Sequence, residues 1–169
     1  MITASVVTFH TSYVDLKRLL DCVLHSSIDI FFIIDNSSND SLREFASLSD
    51  KIVYIHSDNL GFGSGHNIAI RRSIELGAQY HAVINPDIYW EGDVAKLLAG
   101  FMDKQEDCGL VMPKVLYPNG DIQYLCKLLP TPMDLFGRRF IPFKAYQEKH
   151  DAWFELHRTG YCLLYTSPS

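Results

Sequence analysis

The chain has 169 residues, of which 47% are apolar and 21% charged, a composition that supports one globular domain and excludes a disordered or fibrous chain. Fifteen basic residues against twenty acidic ones give a net charge of −5, so nucleic acid is not an expected partner. The most apolar stretch, residues 28–34, is far shorter than the roughly 20 residues that cross a bilayer.

The N-terminus and the cysteines indicate the compartment. No basic segment precedes an apolar run at the start of the chain, so no secretion signal is predicted. The cysteines show no spacing suited to zinc, which favours reduced thiols and a cytoplasmic protein. They are Cys22, Cys108, Cys126 and Cys162.

The first third of the chain predicts two strands, each followed by a helix. Residues 4–8 form a β-branched run typical of a buried strand, and residues 13–24 have apolar side chains at helical spacing. Residues 30–34 are continuously apolar, as in a central parallel strand, and stop at the polar loop 35–40. Residues 41–48 are predicted to be helical.

The middle of the chain predicts two further strands. Residues 51–56 form a third strand, and residues 57–65 a glycine-rich connection with a tight turn. Helical spacing resumes over residues 66–76, with Gly77 placed as a C-terminal cap. Residues 80–84 form a fourth strand.

The remaining segments are less regular. The fourth strand ends at Asn-Pro-Asp, residues 85–87, and a helix is predicted over 93–102. A Pro-Asn-Gly turn at 118–120 predicts a β-hairpin. Residues 126–150 have a net charge of +3 and are interpreted as solvated surface or as a contact with anionic lipid at the inner membrane. Repeated strand–helix units predict an α/β fold with a mostly parallel sheet flanked by helices.

The last eight residues, 162–169 (CLLYTSPS), resemble the translation of a sequencing-library adapter. We therefore expect native sequence to end near residue 161 and the domain to be truncated. A natural strand at this position is the alternative. The expected organisation is a single domain over residues 1–161, divided into a nucleotide-binding part, 1–105, and the start of an acceptor-side part, 106–161.

Polar clusters follow each predicted strand. Because the carboxyl ends of parallel strands share one edge of a sheet, residues 9–10, 35–40, 59–67 and 85–87 should meet there. Carboxylates at this edge suit a base, a ribose or a divalent cation, and a glycine-rich turn lets backbone amides approach phosphates. The edge is therefore a candidate nucleotide site.

The segments SVVTFH, DNSSND, DNLGFGSGHNIAI and INPDI occur in this order at the predicted strand ends. Together they resemble family 2 glycosyltransferases of the GT-A (nucleotide-diphospho-sugar transferase) fold. They are most similar to the rhamnosyltransferase-like members that build bacterial surface polysaccharides such as the O-antigen of lipopolysaccharide. The resemblance is strong over about residues 1–125.

The resemblance implies roles for particular residues. Asp35 would read the base, and Asp87 would bind the divalent cation, Mg²⁺ or Mn²⁺, although Asn85 stands where an Asp-x-Asp motif has its first carboxylate. The implied nucleotide-binding residues are Thr8, Phe9, Asp35, Asn59, Gly61, Gly65, Asn67 and Asn85.

The resemblance implies an inverting transfer of a sugar, rhamnose, from a dTDP- or UDP-sugar to a glycan or lipid-linked acceptor. The catalytic base is expected beyond residue 161, so this chain by itself is expected to be inactive. One alternative is a non-catalytic nucleotide-sugar-binding module. A nucleotidyltransferase is disfavoured because no basic, glycine-rich loop follows the first strand.

Several of these residues also have purely structural interpretations. Asp35 and Asp87 could cap turns, and the glycines could serve only a tight turn. His10 and His66 could bond only to loop backbone. Arg71 and Arg72 are more typical of a solvated helix face.

Overall fold

The computed structural model describes residues 1–123. The chain divides into two compact units, Met1–Asp103 and Lys104–Ser169. The strands of the first unit are β1 (Ile2–Thr8), β2 (Ile30–Asp35), β3 (Ile52–His56) and β4 (Tyr80–Ile84). Its helices are α1 (Tyr13–Leu24), a 3₁₀ helix (Arg43–Leu48), α2 (Phe62–Glu75) and α3 (Val94–Met102).

The four strands form one parallel sheet in the order β3-β2-β1-β4. The chain adds β2 and β3 on one side of β1 and then crosses to place β4 on the other side. In open α/β sheets, ligands bind outside the carboxyl ends of the strands, where the strand order reverses. The predicted α/β architecture with a parallel sheet is confirmed.

The two faces of the sheet are unequal. The face that α1 covers holds the larger apolar core, in which Ala4, Val6, Phe31 and Ile33 pack with the buried stripe of the helix. That stripe consists of Leu16, Leu19, Leu20 and Val23. Fully burying such side chains stabilises by about 1.5–3 kcal/mol each, so α1 is firmly held.

The apolar core on the other face is small. It is made of Val7, Phe32 and Ile34 from the sheet and Ala69 from α2. Beside it, several buried polar side chains lie between the sheet and the same helix. The attachment of α2 therefore depends on polar contacts as well as on apolar burial.

The connection from β3 to α2 differs from the prediction. The helix begins at Phe62, four residues before the predicted start, so Gly63 and Gly65 are helical rather than part of a loop. Gly61 precedes the helix with φ of +92°, a conformation that glycine adopts without steric cost. Glycine content suggested a loop here, whereas packing against the sheet favours a helix.

The segment predicted to be helical over residues 41–48 is a 3₁₀ helix, Arg43–Leu48. Phe45 is its one buried side chain, so little apolar burial is available to stabilise a longer α-helix.

The described part of the second unit contains the predicted hairpin. Strands β5 (Val115–Leu116) and β6 (Ile122–Gln123) pair antiparallel around a turn in which Gly120 has φ of +88°.

Of the four cysteines, the two within the described residues, Cys22 and Cys108, are free thiols.

The basic segment 126–150 and the tail 162–169 lie outside the described residues, as do Cys126 and Cys162. The division into the parts 1–105 and 106–161 stays a prediction. Within residues 1–123, no helix combines the length and hydropathy needed to span a bilayer.

Candidate functional site

Asp35 ends β2 and lies at the centre of a buried hydrogen-bond network. Its Oδ1 accepts from the Thr8 hydroxyl at 3.0 Å and from the Ser37 amide at 3.1 Å. Its Oδ2 accepts from the Tyr54 hydroxyl at 2.7 Å. Asp35 and Thr8 are both fully buried. Strand register produces this network, because Thr8 and Asp35 are direct neighbours in the sheet.

The network keeps the Asp35 carboxylate charged. Burial by itself raises the pKa of Asp35, but the hydrogen bonds from Ser37, Tyr54 and Thr8 outweigh burial, and the pKa lies below its ordinary value. For Tyr54, burial and the bond to the carboxylate raise the pKa of the phenol, which therefore stays a donor.

In the described conformation, the Asp35 carboxylate orders the loop that follows β2. Its two oxygens are engaged by protein donors, and no part of the residue is exposed. The capping role weighed from the sequence therefore has direct structural support. Recognition of a base by Asp35 stays a prediction, and it would require the carboxylate to become exposed and to exchange a protein donor for the base.

The segment after β1 places an aromatic ring at the exposed edge. Phe9 is exposed, and its ring meets that of His10 edge-on with centroids 4.5 Å apart. His10 has φ of +50°, uncommon for a residue other than glycine, and its amide donates to the Ser37 hydroxyl at 2.9 Å. This bond joins the β1 and β2 loops into one edge of the site.

The β3–α2 connection supplies a turn followed by a helix N-terminus. The Asn59 side chain accepts from the Gly61 amide at 3.2 Å, which shapes the turn. The first amides of a helix have no partner within the helix and are suited to bind anions. Asn67 is exposed on α2, whereas Gly65 is buried.

Gly65 serves close packing between helix and strand. A Cβ atom built at this position would lie 2.7 Å from Val7 Cγ2 and 3.0 Å from Val7 Cγ1. Gly65 therefore lies against the sheet instead of in the predicted loop beside the nucleotide. Its predicted contact with the nucleotide is untested.

The Asn-Pro-Asp segment follows β4 at the same edge. Asn85 and Asp87 are exposed, and the Asn85 carbonyl accepts from the Ile88 amide at 3.3 Å. Asp87 lines a small cavity of about 30 Å³. The other residues around this cavity are Asp15, Arg18, Ile88 and Tyr89.

Asp15 and Arg18 were not predicted from the sequence as site residues. Both lie on α1, which carries them beside the segment after β4, and the Arg18 guanidinium lies 5.4 Å from the centre of the Tyr89 ring. Their spacing of three residues places them on one helix face. That spacing was visible in the sequence, but their proximity to Asp87 depends on the tertiary fold.

The donor set near Asp87 fits a divalent cation that is shared with a ligand. Within residues 1–123, no group of three or more histidine, cysteine or acidic side chains could hold a metal by itself. Mg²⁺ is commonly bound by one or two carboxylates together with phosphate oxygens and water. Asp87 and Asp15 offer that kind of carboxylate donor.

Comparison with known proteins assigns the family. A model of glycosyl transferase family 2 matches residues 5–166, almost the whole chain. The chain belongs to glycosyl transferase family 2. Its resemblance to this family, inferred from the four motif segments, is confirmed.

Individual relatives agree with this assignment. The chain is 30% identical over 118 residues to the low-salt glycan biosynthesis hexosyltransferase Agl10 of Haloferax volcanii, covering 68% of this chain and 37% of the relative. Two crystal structures of S. aureus TarS, one of them of residues 1–349, match 69% of this chain with a TM-score of 0.52 and 15% identity. This chain covers 24% and 39% of the two TarS chains. It therefore spans well under half the length of these relatives, and the TarS structures support the GT-A-like fold alone.

Proposed function

We propose that this chain is the donor-binding part of an inverting, metal-dependent glycosyltransferase. The donor is a nucleotide-diphosphate sugar, either dTDP- or UDP-linked, and the sugar is rhamnose. The acceptor is a glycan or a lipid-linked glycan of bacterial cell-surface synthesis. The protein works in the cytoplasm, with peripheral contact to the inner face of the membrane.

One observation carries this proposal. In a chain that the family 2 model matches, the four motif segments follow four parallel strands and end at one edge of the sheet. The edge combines an exposed aromatic ring at Phe9, the N-terminus of α2, and the exposed side chains of Asn85 and Asp87. These groups match the base, the phosphates and the cation of an activated sugar.

The chemistry of each group indicates its proposed role in binding the donor. Phe9 offers an aromatic face to the base, and the α2 amides donate to the diphosphate. Asp87, with Asp15 beside it, would hold the cation. When bound, a divalent cation stabilises the negative charge that grows on the diphosphate as the glycosidic bond breaks.

Transfer also requires a base that deprotonates the acceptor hydroxyl. We assign this base to the part of the family domain beyond residue 161, so the 169-residue chain is expected to bind a donor without transferring its sugar. A longer form of the protein that includes this part should transfer the sugar.

Calorimetric titration of the chain with dTDP and UDP, with GDP as a purine control, tests the donor site. We expect the pyrimidine nucleotides to bind more tightly than GDP, and Mn²⁺ to tighten their binding about tenfold, or ~1.4 kcal/mol. Competition between dTDP-rhamnose and UDP-glucose then tests the sugar. Equal displacement by the two donors would rule out rhamnose specificity.

The metal assignment is tested with two matched variants. Asp87→Asn should abolish the Mn²⁺ effect while nucleotide binding in EDTA is retained. Asp50→Asn is the control, because Asp50 is an exposed acid at the opposite end of the sheet, just before β3. An equal Mn²⁺ effect in wild type and in Asp87→Asn would refute the role of Asp87.

A further inference from the structure

The contact between α2 and the sheet contains a continuous chain of polar side chains. Thr3 and Ser5 are two residues apart on β1, so their side chains lie on the same face of the sheet. His66 and Ser73 are seven residues apart, about two helical turns, and share a face of α2. His81 on β4 pairs in register with Thr3 and completes the set. We refer to these five residues as the histidine network.

Short hydrogen bonds connect the histidine network. Ser5 Oγ lies 2.8 Å from His66 Nδ1 and 2.8 Å from His81 Nε2, so a single hydroxyl bridges both imidazoles. On its other side, His81 Nδ1 lies 2.9 Å from Thr3 Oγ1 and 2.8 Å from Ser73 Oγ. The network therefore ties α2 to both β1 and β4.

The hydrogen bonds fit either tautomer of His81. The Ser73 hydroxyl donates to the Ala69 carbonyl at 2.8 Å, and His81 Nδ1 either donates to Ser73 Oγ or accepts from the Thr3 hydroxyl. In both arrangements the two imidazoles are neutral and are linked through Ser5. Among the described residues, His66 Nε2 is buried with no hydrogen-bond partner.

Among residues 1–123, the surroundings of the two imidazoles offer no counter-ion. From β1 the neighbours are Thr3 and Ser5, and from α2 they are Ala69 and Ser73, all of them uncharged. The residues of β2 that face α2 are Phe32 and Ile34, and β4 contributes no charged side chain apart from His81.

The charged residues of α2 point elsewhere. Arg71, Arg72 and Glu75 are exposed, and Arg72 pairs with Glu75 at 3.7 Å. Asp35 is bonded to Thr8 and Tyr54, and the Tyr54 side chain packs against the core on the opposite face of the sheet. A proton added to His66 or His81 therefore creates a buried charge that no carboxylate of residues 1–123 neutralises.

We propose that the histidine network is a pH-operated lock, which holds α2 against β1 and β4 while both imidazoles are neutral and releases the helix when they are protonated. The lock rests on the fold alone and does not depend on the proposed function. If the proposed function holds, the lock would also make donor binding depend on pH, because the first amides of α2 are the groups proposed to bind the diphosphate.

The direction of the effect follows from the buried imidazoles. Burial, reinforced by the neighbouring His66, lowers the pKa of His81 to about 4, and burial also lowers the pKa of His66. Below an unfolded-state pKa of about 6.5 the unfolded chain takes up protons that the folded chain does not. Stability is therefore greatest at neutral pH and falls as the pH drops from about 6.5 toward 4.

Histidine NMR on the full chain tests the lock directly. In the ¹⁵N spectrum of the imidazoles, we expect His81 to titrate near pH 4. If His66 and His81 both titrate near the ordinary value of about 6.5 in the folded protein, the lock does not exist.

Two variants and one control test its effect on stability. The midpoint of urea unfolding of the wild type should drop between about pH 7.5 and pH 5, and His81→Gln should show a smaller drop. Ser5→Ala removes the bridge but keeps both imidazoles, so it should lower the midpoint at both pH values. His25→Gln should retain the wild-type pH dependence.

An unchanged pH dependence in His81→Gln would overturn the lock. If His81→Gln does not fold, the NMR titration of the wild type decides, because it needs no substitution. Failure of nucleotide binding in the calorimetric experiment would leave these outcomes unaffected, so the two proposals can fail separately.

Discussion

At the scale of single residues, Asp35 shows how position in the sheet determines what an acidic side chain does. A buried carboxylate is costly unless it is hydrogen-bonded, and here Thr8, Ser37 and Tyr54 provide the donors. The residue therefore contributes to stability whatever its role toward a ligand. Its chemistry depends on its burial, which the sequence did not reveal.

Replacing Asp35 should destabilise the protein more than replacing one of its partners. Asp35→Ala leaves three donors without an acceptor and should cost about 3 kcal/mol, whereas Tyr54→Phe removes one hydrogen bond and should cost about 1 kcal/mol. Urea unfolding at neutral pH measures both. Equal losses would show that Tyr54 provides most of the stabilisation.

The same carboxylate should also produce an acid-induced loss of stability. Because the pKa of Asp35 is lower in the folded protein than its ordinary value of 3.8, its contribution is present above that value and is lost as the pH falls through the folded-state pKa. Unfolding of Asp35→Ala should therefore depend less on pH below about 4 than unfolding of the wild type. Parallel profiles in this range would contradict the assignment.

At the scale of elements, the packing of α2 on β1 depends on the missing side chain of Gly65. In Gly65→Ala the new methyl group would overlap with Val7, and we expect a net loss of about 1–2 kcal/mol despite the better helix propensity of alanine. Thermal or urea unfolding measures the loss. Val7→Ala in the same chain should recover part of it, because the methyl groups that clash are removed.

Gly63→Ala is the matched control for this packing. Gly63 is also in α2, but a Cβ built there meets nothing within 4 Å. Alanine should therefore stabilise the helix by about 0.5–1 kcal/mol. If both alanine variants were stabilising, the close contact between α2 and β1 would be refuted.

The elements also show what the sequence could and could not predict. The four strands were predictable because each is a short apolar or β-branched run bounded by polar residues. The start of α2 was not predictable, because glycines in a sequence indicate a turn. Glycine is required at position 65 by the close approach of α2 to Val7, which lies 58 positions earlier along the chain. Long-range packing reversed a local preference.

At the scale of the whole molecule, the order of the strands in the sheet creates the candidate site. The order β3-β2-β1-β4 brings the Asp35 loop, the α2 N-terminus and the Asn85–Asp87 segment to one edge. The sequence predicted this meeting from the parallel arrangement alone. It could not predict the burial of Asp35 or the histidine network, because both arise from side chains on different strands that meet only in the folded sheet.

The two buried networks lie on opposite faces of this sheet, and their energies should therefore add. Along β1 the partners of His81 and Asp35, Thr3 and Thr8, are five residues apart, or about 16 Å. We expect the double variant Asp35→Ala with His81→Gln to lose the sum of the two single losses to within about 0.5 kcal/mol. Urea unfolding of the four proteins at neutral pH measures the coupling. A coupling above about 1 kcal/mol would mean that the two faces of the sheet are energetically linked.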